Sequence, residues 1–353
     1  MLSTVSSNVV LSKARAMFGK RLTDEDYDEL LNCRTVADAA SYLKSNTAYG
    51  TVLAGVNESD IHRGQLETLL RRKFITDSAA LARYEITVGE YFSNYFIRRL
   101  EVGEILHAVL LMEEGSSDEY VFYMPAYLTH HTHINLKLLS KLKNYDDLLA
   151  ALSHTPYYAI LKPFRPENGG QIEYSKIENS LYGYIYSLFF LIIKKHTKGE
   201  TEKQLLDIFN SFIDLINYAH IIRLKTAYAA SPDVIKSYIF PYGTVKKRYM
   251  NEMIEAKSEP DVRRIMGGTS LGKRVLKINY FYASEVAHSM NFKTCRHYIR
   301  FSTHPSVVMV SYVLLLEAEI RDIITIVEGI RYKLTPGEIR KMLVIINYRK
   351  GSD

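Results

Sequence analysis

The chain has 353 residues, 47% of them hydrophobic and 24% charged, a composition ordinary for a folded protein with a sizeable core. Eighteen Gly and nine Pro are too few for a fibrous or disordered chain, and two cysteines, Cys33 and Cys295, exclude a disulfide framework or a cysteine zinc site. The net charge of +6 is mild: it permits acidic partners or a membrane surface, and without a clustered basic face it does not indicate nucleic acid.

In chain order, Met1 to Val10 is polar and is not expected to act as a signal peptide. Leu66, Leu69, Leu70 and Phe74 recur at three- and four-residue steps and predict a helix. Glu114–Asp118 reads as a loop, Glu119–Met124 as the best candidate strand, and Leu161–Gln171, with Pro163, Pro166, Gly169 and Gly170, as a second loop. Leu205, Ile208, Phe209, Phe212, Ile213 and Ile216 predict another amphipathic helix. The longest apolar runs, Tyr184–Ile193 and Val307–Leu316, fall short of the roughly 20 residues that cross a bilayer.

Three segments share one pattern: TVADAASYLKSNTAYGTVL from Thr35, NYDDLLAALSHTPYYAIL from Asn144 and SEPDVRRIMGGTSLGKRVL from Ser258. Each opens on an N-cap residue with Asp three positions on (Thr35/Asp38, Asn144/Asp147, Ser258/Asp261), suited to the amides and positive dipole of a first helical turn. A break follows at Thr47, Thr155 or Thr269, then Tyr49, Tyr157 or Leu271, then Leu53, Leu161 or Val275. The last two copies share an upstream proline, Pro125 and Pro241. Helical segments EILHAVLL from Glu104, HIIRLKTA from His220 and EIRDIITI from Glu319 accompany the copies. The threonines lie more than a hundred residues apart, far beyond the period of common helical solenoids. Three large modules are therefore expected: 1–115, 116–225, and 226–353 with closing C-terminal helices.

The order of these features resembles the central-stalk C subunits of V-type and A-type rotary ATPases (ATP synthases), whose eukaryotic relative is the V-ATPase d subunit. The resemblance rests on RAMFGKRLTDEDYDELL, TVADAASYLKSNTAYG, the repeats, and a C-terminal VLLLEAEIRDIITIVEGIRYKLTPGEIRKML carrying Glu317, Glu319, Ile320, Arg321, Arg331 and Lys333. It implies an all-α, funnel-like fold with pseudo-threefold symmetry. It also implies a non-catalytic central-stalk role, with D- and F-type rotor shaft subunits and the membrane proteolipid ring as partners, cytoplasmic and peripheral to the membrane. No catalytic residue, metal or cofactor is implied.

Other candidates read as follows. Gly267–Arg274 fits G-x-x-x-x-G-K, but Arg274 stands where a phosphate loop needs Ser or Thr, and a capped helix precedes it rather than a strand. His130, His131 and His133 read as a solvated loop or helix start; zinc is the alternative and would need a fourth ligand. His220, His288 and His297 read as core or surface histidines, and Cys295 as an inert thiol, the alternative being a pKa lowered by Arg296 and His297 beside it. The basic runs Leu70–Phe74 and Lys246–Arg248 are the best partner-contact candidates. A helical-repeat scaffold for a different complex, or a basic nucleic-acid binder, would be the competing functions.

Overall fold

The computed structural model describes residues 2–167, 170–275 and 283–350. Gly169, expected in a loop, lies outside them. The described residues are helical and contain no strand, so the chain is all-α.

Among the described residues, seven long helices carry the architecture: α1 (Leu2–Gly19), α2 (Arg63–Ala82), α3 (Gly89–Glu113), α4 (Tyr174–His196), α5 (Gly199–Tyr228), α6 (Ala283–Phe301) and α7 (Pro305–Arg331). Their sequences explain them. The predicted stripes are buried in α2 (Leu66, Leu70, Phe74) and in α5 (Leu205, Ile208, Phe209, Ile213). Proline opens α7 at the one helical turn where its missing N–H costs nothing. By length and composition α5 could cross a membrane, but two thirds of its apolar window, 67%, is buried against its neighbours, as in a core helix.

Helices α2 to α7 pack in a closed order: α2 on α3, α3 on α4, α4 on α5, α5 on α6, α6 on α7, and α7 back on α2. Helix α1 lies outside, mainly against α7. Three tight turns join α2 to α3, α4 to α5 and α6 to α7, so the helices form three hairpins with their turns at one end. Short helices cluster at the other end, between the hairpins. One apolar core runs from Val10 to Ile346, and a smaller one, from Leu215 to Met290, serves the segment around the third copy.

The three copies fold alike. The capping side chains of Thr35, Asn144 and Ser258 accept the backbone N–H of Asp38, Asp147 and Asp261. After each short helix a threonine hydroxyl turns back to a carbonyl: Thr47 to Leu43 (2.6 Å), Thr155 to Leu152 (2.8 Å) and Thr269 to Met266 (2.7 Å). The aligned Tyr49, Tyr157 and Leu271, and Leu53, Leu161 and Val275, are all buried. Three residues beyond the threonine, Gly50 and Gly272 bring the backbone close against the preceding helix. A Cβ at either position would collide with a main-chain carbonyl oxygen, that of Lys44 or of Met266.

The expected strand at 119–124 is instead a 3-10 turn, Ser117–Glu119, running into a helical turn, Tyr120–Tyr123. A lone short strand would leave its amides and carbonyls unpaired, whereas a helical turn satisfies them locally. The Leu161–Gln171 loop begins later than expected, because Lys162–Phe164 adds a 3-10 turn.

Candidate functional site

The six helices between them line a central cavity made of two adjoining pockets that share Arg99, Tyr182 and Arg321. Its wider lobe, about 630 Å³, is lined by Tyr182 and Tyr186 of α4, Phe212, Ile216 and Arg223 of α5, and His288 of α6. A second lobe of about 440 Å³ is lined by Glu67 and Arg71 of α2 and Glu104 and His107 of α3. Arg99 of α3 and Arg321 of α7 line both.

Some of its charges pair across helices. Arg99 meets Glu317 of α7 through two hydrogen bonds, 2.8 and 2.6 Å, the geometry a planar guanidinium favours. Burial alone would raise the Glu317 pKa; Arg99 and Arg321 outweigh it and hold the carboxyl below its usual value. Within α2, Arg71 holds Glu67 at 2.8 Å. Burial pushes Glu104 up to about 7 against the pull of the Tyr120 hydroxyl and Arg71. Burial, reinforced by Arg321 and Arg99, depresses His288 well below the ordinary histidine value. Among the described residues, no three His, Cys, Asp or Glu side chains lie close enough to hold a metal.

A second set of polar residues holds the short helices to this frame. Glu319 of α7 accepts the Leu22 amide (2.9 Å) and the Tyr49 hydroxyl (2.9 Å). Glu101 of α3 accepts the His133 amide (2.5 Å), the Thr132 hydroxyl (2.8 Å) and the Tyr157 hydroxyl (2.6 Å). Asp214 of α5 accepts the amides of Thr244 (2.6 Å) and Val245 (3.1 Å). Three residues further along each helix a second polar group ties another loop. Asp322 takes the Val344 and Ile345 amides, Glu104 the Tyr120 hydroxyl, and Asn217 exchanges two bonds with Phe240. Sequence reasoning missed these pairs. Their signal was an acidic residue with Glu, Asn or Asp three positions on, inside otherwise apolar helices. The helix register differs from that of the aligned segments: Glu319 corresponds to Glu101 and Asp214, not to Glu104 and His220.

The structure resolves the remaining candidates individually. Gly267–Arg274 is the third capped break, with the Gly272 amide donating 2.9 Å to the Thr269 hydroxyl, not a loop after a strand. His130 and His131 are exposed, and the His133 ring lies 3.1 Å from Glu101. His220 Nδ1 lies 3.3 Å from the Tyr238 carbonyl, and His297 is exposed. Cys295 is buried, and desolvation pushes its thiol up rather than down. In the Leu70–Phe74 run, Arg71 pairs with Glu67 and Lys73 with Asp77, leaving Arg72 exposed. Lys246 and Lys247 are exposed, while Arg248 pairs with Glu252.

The frame is all-α, three helical hairpins whose short helices are tied in by buried carboxylates. The chain matches the family described as ATP synthase (C/AC39) subunit over residues 10–342, and it belongs to that family. It is similar to the A-type ATP synthase C subunit of Pyrococcus abyssi, 23% identical over 349 residues that cover 94% of this chain and 88% of the relative. The A-type ATP synthase C subunit of Thermococcus kodakarensis is 23% identical over 347 residues, covering 94% and 88%. That of Methanosarcina mazei is 25% identical over 227 residues, covering 64% and 60%.

Proposed function

We propose that this chain is a non-catalytic central-stalk component of a rotary ATPase, coupling the soluble rotor shaft to the membrane proteolipid ring during proton or sodium transport. The observation that carries the reading is the cavity shared by all six helices. A shaft end seated there would touch each hairpin, and the bidentate Arg99–Glu317 pair would stiffen the frame around it. Torque needs stiffness and broad contact, which paired charges and buried anchors supply, and not a reactive centre.

The modules 1–115, 116–225 and 226–353 would then be three pseudo-threefold units of a funnel. Short helices surround its wide end and hairpin turns close its narrow end. Glu319 in the closing helix α7 serves the first module as Glu101 serves the second and Asp214 the third, so the last helix completes the first unit. The partners in this reading are D- and F-type shaft subunits and the proteolipid ring; the chain is cytoplasmic and peripheral to the membrane. It uses no cofactor, small-molecule substrate or nucleic acid.

The test is affinity purification from gently extracted membranes. Shaft and proteolipid subunits should co-purify, and the isolated chain should leave ATP intact. Recovery without either partner, or ATP hydrolysis abolished by Lys273→Ala, overturns the reading.

A further inference from the structure

The three hairpin turns converge. Tyr84 and Ile86 of the first, His196 and Lys198 of the second, and Pro305 and Ser306 after the third line one cleft of about 200 Å³. The turns are stitched together: Glu85 accepts the Val88 amide (2.6 Å) and the Ser306 hydroxyl (2.8 Å), and Thr201 meets His304 at 3.0 Å. These bonds bring the N-termini of α3, α5 and α7 to one face. The three helices have 25, 30 and 27 residues, and each directs the positive end of its dipole the same way.

The face carries two further features. Large apolar side chains project from it into solvent: Ile86 is 67% exposed and Phe301 69%, with Leu191 at 59% slightly more than one helical turn before the end of α4. Around them stand exposed cations, Lys195, Lys198 and Arg300, which make no ion pair among the described residues. The acids nearby offset little of this charge. Glu85 is buried in its bonds to the turns, Glu200 is held by Lys203 and Glu202 by Lys194, and Glu90 alone is exposed without an ion pair among the described residues.

We infer that this end of the molecule binds an anionic lipid surface directly. The arrangement fits a bilayer interface better than a protein groove. The large exposed apolar groups come from separate hairpins, Ile86 from the first, Leu191 from the second and Phe301 from the third, so each can enter the acyl boundary while long flexible cations gather headgroups around it. Helix N-termini add positive potential where phosphates would lie. The binding surface is separate from the central cavity and does not require that a shaft occupy it.

The test is flotation of the full-length chain with vesicles of phosphatidylcholine, alone or mixed with phosphatidylglycerol. The chain should float with the mixed vesicles at low salt, not with phosphatidylcholine alone, and high salt should release it. Lys195→Ala, Lys198→Ala and Arg300→Ala should each lower the partition coefficient about fivefold, as expected for one charge near an anionic surface. Ile86→Ser with Phe301→Ser should lower it further. All these side chains are exposed, so unchanged thermal melting verifies that the variants remain folded. Failure to float, equal flotation on neutral vesicles, or variants that float like the parent overturns the inference. So does retention of proteolipid subunits by the parent with no lipid binding, which assigns the face to a protein partner.

Discussion

Removing the carboxylate of Glu101 should loosen the second module from the frame. The side chain is 1% exposed and accepts from the His133 amide, the Thr132 hydroxyl and the Tyr157 hydroxyl. Glu101→Ala leaves the His133 amide and the Thr132 hydroxyl without that acceptor, leaves the Tyr157 hydroxyl only its longer contact, 3.3 Å, to the Arg98 carbonyl, and opens a small cavity. An orphaned buried donor costs about 1–3 kcal/mol; since Thr132 and His133 lie near the surface and can recruit water, the expected loss is about 4 kcal/mol rather than the full sum. Tyr157→Phe removes the bond to that charged acceptor together with a longer contact, 3.3 Å, to the Arg98 carbonyl, and should cost about 2 kcal/mol. In the double variant the Tyr157 contribution has already been lost, so the two effects should fall short of additive by about 1–2 kcal/mol. Urea unfolding followed by circular dichroism gives the magnitudes, and amide exchange at His133 reports whether the loosening is local. If each single variant costs less than about 0.5 kcal/mol, or the pair is strictly additive, Glu101 is not an anchor and the three carboxylates are not equivalent.

Three further outcomes rest on the same geometry. Arg99→Met leaves Glu317 with Arg321, 3.8 Å away, as its remaining cationic partner; with the Arg99–Glu317 pair a fifth to a quarter exposed (22% and 27%), the loss should be about 2–3 kcal/mol, below the range for a fully buried pair, and double Arg99→Met, Glu317→Leu should recover part of it in thermal melts. Burial raises Asp322 to about 6 even though the Val344 and Ile345 amides favour its charged form. The folded state therefore holds a proton that the unfolded state releases, so this group costs stability as pH rises from about 4 to about 6. Relative to the parent, Asp322→Asn should lose that part of the pH slope in unfolding titrations, and an unchanged slope would refute the assignment. Gly272→Ala forces a Cβ onto the Met266 carbonyl and should cost about 3 kcal/mol, as should Gly50→Ala against Lys44, whereas Gly103→Ala, with open space around it, should be neutral or stabilising in the same melts.

The repeat was readable because its marks are local. A cap residue with Asp three positions on, a threonine break, and the buried positions after it depend on backbone geometry within one or two turns, and Thr35, Asn144 and Ser258 cap as their sequences say. The apolar stripes of α2 and α5 were legible for the same reason. The nucleotide-loop lookalike at Gly267–Arg274 could be set aside because its context, a capped helix, is also local.

The pairing of helices across the chain is not local, and it emerges only from packing. Sliding an apolar helix by one turn preserves its stripe, so pattern alone aligns Glu104, His220 and Glu319, while the buried bonds select Glu101, Asp214 and Glu319. The Arg99–Glu317 pair and the closure of α7 on α2 join residues more than two hundred positions apart, a separation at which no periodicity carries information. Local patterning in the residues is enough to dictate an all-helical chain with three related capped segments. Which carboxylates anchor those segments, where the central cavity lies and that the three hairpin turns share one face are set by desolvation and charge pairing, which arise only when distant helices meet.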